Sequence, residues 1–542
     1  MFKKILIPVV FATALNASTN IEKSWLEKQP RSYEKDFYIS LYLKQNISSD
    51  DAIWALGQAK RVNNKLLYPY AKALNNKDTT YTINCMKAKT KDLLNKDATC
   101  IRLGLKLYES KQFTKNQLNT IINKVKPLYP KYANELSIMN SDVAFFDLIK
   151  SDNKTFFDIF NNCGVKFRID NFNHHLPTKL LKRLSKNKYR FYSMVKLITT
   201  TPQLDKLQES LLHVDASNQL HKTQFMLAIN AIKHHKKKIA LDYLKLASKS
   251  AYYKFDKDKV LFWQYQLTND KQILKKLSSS WSNNIYSLYA KEKLNTKILN
   301  LKYDSKNKVY KEDNVSTNDP FYWLGVLKDI KSGVNKTKRE KYQNIFTSKK
   351  TSGYMAYVDE KYYGYKKTFL PNPYEDILSQ YPKNRQVLIN ALAKQESRFI
   401  PSSLSSSYAM GVMQIMPFLS NALAKELKEP YNILDQLKAP INIKYANKHL
   451  NYLESKLDHV LFIAYAYNGG IGFTNRKVLK AGLFQKGPFE PYLSMELVPY
   501  DESKKYGKKV LVNYYFYNQL INNDYETKFS TLINSIKNPY FK

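Results

Sequence analysis

One acidic side chain set among apolar neighbours is where this sequence offers chemistry. The segment Ala391-Leu-Ala-Lys-Gln-Glu-Ser-Arg-Phe399 carries Glu396 beside alanine, leucine and phenylalanine. Taking a carboxyl out of water disfavours its charged form and raises its pKa, which keeps a glutamic acid able to donate a proton near neutral pH. The spacing predicts a helix that starts near Asn384, buries Ile389, Leu392 and Ala393, and ends at Ser397-Arg-Phe-Ile-Pro401. Glu396 then lies in the final turn, where the negative end of the helix dipole disfavours an anion further. A glutamate on a helix is ordinarily a solvated charge; the apolar flank and the terminal position favour the acid. Downstream, Val412-Met-Gln-Ile-Met-Pro417 supplies Gln414, able to donate to and accept from hydroxyls. Met413 and Met416 offer soft apolar faces, suited either to a sugar ring or to a core.

Two further blocks follow, Ala464-Tyr-Ala-Tyr-Asn-Gly-Gly-Ile-Gly472 and Met495-Glu-Leu-Val-Pro-Tyr500. In this order and at this spacing, the four blocks resemble the catalytic domain of the soluble lytic murein transglycosylases, the Slt70-like enzymes that cleave peptidoglycan. The resemblance covers roughly the last third of the chain and is looser before it. It implies a goose-type, lysozyme-like α domain in which Glu396 acts alone. As an acid, Glu396 would protonate the oxygen between N-acetylmuramic acid and N-acetylglucosamine. As a base, it would take the proton of the muramoyl C6 hydroxyl, which closes on C1 to give a 1,6-anhydro product. No water is consumed, so no second carboxylate is expected near Glu396. The resemblance also implies that Ser405 bonds the glutamate or the sugar acetamido group, and that Tyr467 bonds the glutamate. Asn468 would be the turn residue after it, and Glu496 a second acid lining the cleft, gripping substrate or a structural partner. No metal and no cofactor are implied. Two other readings stand beside this one, a hydrolytic lysozyme and a non-catalytic cell-wall scaffold.

The chain departs from the family pattern at several points. Tyr408 and Met410 stand where a small residue or glycine is common, and Phe418 replaces a small residue. If the glycine there has a positive φ, Tyr408 is expected to adopt a different turn. Ala446 and His449 replace a glycine and a tyrosine, and Gly470-Ile471 replaces Gly-Pro.

These groups must be held by helices. None of the fourteen glycines lies between Gly164 and Gly325, whereas seven follow residue 370, so the front reads as helix-rich and the back as rich in tight turns. Phe225, Ala228, Ile229 and Ile232 recur at helical spacing, a polar break follows at 234–238, and Ala240, Leu244, Ala247 and Ala251 resume it, which is a helical hairpin. Similar amphipathic runs cover 32–47, 51–60, 116–127 and 177–198. The expected fold is all-α. After a signal peptide at 1–17, an α-superhelix of degenerate tetratricopeptide-like hairpins spans 18–280, a helical linker domain 281–366, and the lysozyme-like catalytic domain 367–542. Leu370-Pro-Asn-Pro373 marks the entry to the last.

A length of 542 residues calls for two or three domains. Met1-Phe-Lys-Lys4, an apolar run from Ile5 to Leu15 and Ala17 read as an export signal, giving a soluble periplasmic protein with no membrane span after cleavage. The net charge of +41 suits an acidic partner, and the stem peptides of peptidoglycan glycan strands carry free carboxylates. Abundant lysine also follows from an AT-rich genome, in which case most of it is ordinary solvated surface. Nucleic acid is a poor partner for an exported chain with no zinc-finger, RRM or helix-turn-helix signature. A monomer is expected, with cell-wall synthesis proteins as further partners. Of three cysteines, Cys85 and Cys100 close a short loop whose bridging would contribute about 3 kcal/mol, and Cys163 reads as a buried small hydrophobe.

Overall fold

Helix follows helix from Lys23 to Asn534. The computed structural model describes residues 20–303 and 309–541, so the export signal expected at 1–17 lies outside the described residues. The architecture is all-α. Among the described residues its strands form a short parallel pair, Leu301–Tyr303 with Thr368–Leu370, which the sequence pattern did not announce. This pair brings the chain back beside itself immediately before the Pro-Asn-Pro entry.

The hairpin read from the alanine spacing forms from His221–Lys233 and Lys237–Ser250, with Ala228, Ala240, Leu244 and Ala247 fully buried. His235 closes the turn between them at φ 55°. The run at 177–198 is two helices, Thr178–Ser185 and Lys188–Thr199; Asn187 interrupts it and caps the second by accepting from the Arg190 amide at 3.3 Å. Cys85 and Cys100 are disulfide-bonded across the helices Lys77–Lys87 and Ala98–Gly104. Cys163 is buried and free.

Apolar contacts run in one continuous cluster from Cys85 to Ile536, so helices well before residue 370 share a core with those that follow it. A separate core gathers Trp323, Val326, Tyr354 and Val358 from the connecting helices and takes in Ile400, just past the helix of Glu396. A third joins the first helices, through Leu26, Phe37, Ile39 and Leu66, to Tyr408, Met410 and Leu437. The helical path thus closes back onto the loop that follows Glu396. Among the described residues, no helix is long and apolar enough to cross a membrane.

Candidate active site

The helix Lys383–Glu396 ends on the residue that carries the acid. It packs against the long helix Asp501–Asn522, where Asn513 Nδ2 donates to the Ala391 carbonyl at 3.1 Å. A third helix, Val460–Gly469, crosses the same long helix at Gly507. A Cβ there would lie 2.3 Å from the Tyr465 ring, so only glycine allows the two backbones this close. The end of the Glu396 helix is pinned from the connecting region. Glu360 accepts from Lys394 Nζ and from Arg398 Nε, each at 3.0 Å.

Glu396 is half-buried, with its carboxyl surrounded by protein atoms. Tyr506 donates its hydroxyl to Glu396 Oε1 at 2.7 Å. Burial pushes the carboxyl up to about 7; the Tyr506 hydrogen bond opposes the rise and the Glu502 carboxylate adds to it. Such a group is protonated over much of the range below neutrality and still able to release its proton.

The tyrosine next to the acid is therefore not the expected one. Tyr467 donates its hydroxyl to the Met413 carbonyl at 2.8 Å, which ties its helix to the loop, and the bond to Glu396 comes from Tyr506. Both rings face the carboxyl closely enough for its charge to push their phenols well above the ordinary range, on top of burial. Tyr506 lies one helical turn after Glu502, so their i, i+4 spacing put both on one face of the helix and was the signal available for them. Glu502 is the carboxylate whose charge acts on Glu396.

The loop between Glu396 and Pro417 is strained and over-determined. Ser397 Oγ donates to the Val412 carbonyl at 2.7 Å and accepts from the Ile400 amide at 3.1 Å, so the serine that ties the acid to the loop is Ser397. Ser405 instead accepts from the amides of Ser407 at 3.2 Å and Ala409 at 2.9 Å, capping its own turn. Among the described residues it has no hydrogen bond to Glu396. Asn442, fully buried, accepts from the Met413 amide at 2.7 Å and donates to the Met410 carbonyl at 3.1 Å. Arg398, Phe399, Tyr408 and Gln414 all have φ between 49° and 66°, a conformation that side chains disfavour and that clusters at sites held rigid for a purpose. Tyr408 was expected to avoid a positive φ and does not. Its ring packs edge-on against Phe37 at 5.7 Å and its hydroxyl donates to the Asp36 carbonyl at 3.3 Å, so burial against the first helices offsets the strain.

The other expected residues fall in three places. Gln414 is half-buried, and its amide donates to the Ser403 and Gly411 carbonyls, each at 2.9 Å, leaving its carbonyl oxygen as the polar end for a ligand. Met416 is half-buried at the start of the helix Pro417–Leu427, whereas Met413 is fully buried and belongs to the core, not to a sugar-facing surface. Asn468 accepts from Ser503 Oγ at 2.7 Å and donates to Glu502 Oε1 at 3.3 Å, holding the second carboxylate in position. Glu496 is 1% exposed, and no hydrogen bond among the described residues joins it to Glu396. It accepts from Lys508 Nζ at 2.5 Å and from the Tyr286 hydroxyl, which makes it a structural partner of the helix Ile285–Lys293. Burial opposes its ionisation, but Lys508, Lys259 and Lys504 outweigh burial and hold it below the ordinary carboxylate range. His449 was noted only as a departure; its half-buried ring lies 5.8 Å from that of Tyr467.

Among the described residues no group of His, Cys, Asp or Glu side chains is arranged to hold a metal ion. The arrangement can hold one protonated carboxyl against a phenol, with a second carboxylate tuning it.

Residues 374–488 match the family model described as the transglycosylase SLT domain. A putative soluble lytic murein transglycosylase of Haemophilus influenzae is 30% identical over 173 residues, which is 31% of this chain and 28% of that protein. The soluble lytic murein transglycosylase of Escherichia coli K12 is 29% identical over 147 residues, 26% of this chain and 22% of that protein. The matched stretch thus spans about a quarter of the length of these curated relatives. Among solved structures, lytic transglycosylase Slt of Pseudomonas aeruginosa aligns over 94% of this chain and 90% of its own at 14% identity, with a TM-score of 0.46. The 70 kDa soluble lytic transglycosylase of Escherichia coli aligns over 95% and 85%, also at 14% identity and a TM-score of 0.46.

Proposed function

We propose that the chain, whose residues 374–488 match the transglycosylase SLT domain model, is a peptidoglycan lytic transglycosylase with Glu396 as its acid and base. The observation that carries this reading is the Glu396 carboxyl, raised to about 7 by burial and held by the Tyr506 hydroxyl at 2.7 Å. In the first step Glu396 donates its proton to the oxygen leaving from the muramoyl C1, and the bond to N-acetylglucosamine breaks. In the second, the C6 hydroxyl of the same sugar bonds to C1 while its proton passes to the Glu396 carboxylate. The acid is restored and no water enters. An acid and base used in turn works best with a pKa near the working pH, and burial with Glu502 opposed by Tyr506 supplies that balance.

The chain would work in the periplasm as an exported monomer, with its superhelix, connecting helices and catalytic part divided near residues 280 and 366. The substrate would be glycan strands bearing stem peptides. A second reading, hydrolysis, would use Glu502, the carboxylate whose charge acts on Glu396, as the base that activates water. Mass spectrometry of the products from purified sacculi separates the two, because ring-closed ends are lighter than reducing ends by one water. Anhydro ends from the native chain and none from Glu396→Gln are the expected result. Only reducing ends would establish hydrolysis, and undiminished release by the variant would remove Glu396 from the chemistry.

A further inference from the structure

On the opposite side of the helix Asp501–Asn522 from Glu396, a pocket of about 490 Å³ opens between that helix and the superhelical helices His221–Lys233, Lys237–Ser250 and Lys254–Thr268. Its size is that of a small-ligand site. Five lysines line it against three carboxylates, and the carboxylates are already engaged. Asp501 accepts from the Tyr192 hydroxyl at 2.7 Å and Lys196 Nζ at 3.1 Å, Asp256 from Lys259 Nζ at 2.9 Å, and Glu496 from Lys508.

Lys504 is the group this arrangement leaves short. Its side chain is buried, with the residue 7% exposed, yet among the described residues its ammonium meets the Met226 sulfur at 3.9 Å and Asp501 Oδ1 at 3.9 Å, both beyond an N–H···O bond. A buried ammonium without close acceptors is costly unless something fills the place. Lys222, over the Tyr192 ring at 4.0 Å, and Lys505 line the same pocket and have no ion-pair partner among the described residues. At the rim stand Tyr252, 83% exposed, and Tyr253. A second pocket of about 300 Å³, lined by Gln395 and Arg398 on either side of Glu396, shares Phe255 and Lys508 with this one.

We propose that the pocket around Lys504 binds a carboxylate-bearing peptide, with the carboxylate on Lys504 and Lys222 and the peptide lying along the tyrosine rim. That the peptide is a stem peptide rests on the transglycosylase reading; that the pocket takes a carboxylate does not. The site is built by the superhelix and the far face of the long helix, so it holds substrate or product away from the scissile bond. Burial lowers Lys504 to about 8, which an arriving carboxylate would reverse.

Calorimetric titration of the full chain with a synthetic acidic tripeptide of the stem-peptide type tests this. The amidated tripeptide and neutral chitotetraose serve as controls. The native chain should bind the acidic peptide at least tenfold more tightly than the amidated one. Lys504→Met, which keeps the volume and removes the buried charge, should lose tenfold or more, and Lys222→Gln, at an exposed position, should weaken binding severalfold. Glu396→Gln should bind as the native chain does. Equal affinity for both peptides, no binding by the native chain, or unchanged affinity in both lysine variants overturns the proposal. Lysine-dependent peptide binding by a chain that does not cleave sacculi would reject the transglycosylase reading alone.

Discussion

Replacing Glu396 by glutamine should stabilise the protein at neutral and alkaline pH while abolishing cleavage. An unfolded glutamate titrates near 4.5, and in the folded chain the carboxyl is raised to about 7. A carboxyl whose folded pKa is raised favours the native state only while protonated, so its ionisation destabilises the fold. The penalty is absent below about pH 4.5, grows as the pH rises toward 7, and is constant above that. At 1.36 kcal/mol per pH unit, a difference of about 2.5 units amounts to about 3 kcal/mol. Glutamine keeps an oxygen for the Tyr506 hydroxyl and never ionises, so it escapes the penalty. The variant should match the native chain at pH 4 and exceed it by about 2–3 kcal/mol at pH 8. Thermal unfolding of both proteins from pH 4 to 8 reads this as the difference in midpoint, in which the titrating groups not coupled to Glu396 cancel. A difference that stays flat with pH, or a variant less stable at pH 8, would refute the claim that the fold holds this carboxyl neutral.

Four other outcomes follow from the same geometry. Tyr506→Phe removes the hydrogen bond that favours the carboxylate, so the pH–rate profile should move to higher pH, with activity reduced about tenfold for a lost interaction of 1–1.5 kcal/mol. Glu502→Gln removes a charge that raises the Glu396 pKa and should move the profile the other way, to lower pH, in the same assay. Tyr408→Gly relieves about 1 kcal/mol of left-handed strain but removes a buried ring contributing about 1.5–3 kcal/mol, so a net loss of about 0.5–2 kcal/mol and faster proteolysis of the first helices are expected. Lys508→Ala strands the buried Glu496 carboxylate and should destabilise by about 3–5 kcal/mol, whereas Lys508→Met combined with Glu496→Leu should be close to neutral in denaturant titration.

The elements that carry the site were legible where a local pattern decides the outcome. The helix of Glu396 was expected from Asn384 to the terminal glutamate and runs from Lys383 to Glu396, because apolar periodicity and the break at Ser397-Arg-Phe set its register locally. The hairpin at 221–250 followed from alanines at helical spacing for the same reason. What failed was partnership between distant residues. Tyr467 and Tyr506 are both tyrosines near the acid, and which hydroxyl meets Glu396 depends on how two helices cross at Gly507. Ser397 and Ser405 differ only in which one the loop folds toward, and Glu496 looked like a cleft acid because nothing local shows that Tyr286 and Lys508 cover it.

The order of residues was enough to establish an all-helical chain with one sheltered acid at a helix end, since helical periodicity and an apolar flank act over a few residues. The identity of that acid's phenol, the carboxylate that tunes it, and the N-terminal helices that hold Tyr408 at a positive φ were settled only in three dimensions. Each depends on contacts between residues more than a hundred positions apart, and no short-range rule fixes the packing of helices that brings them together.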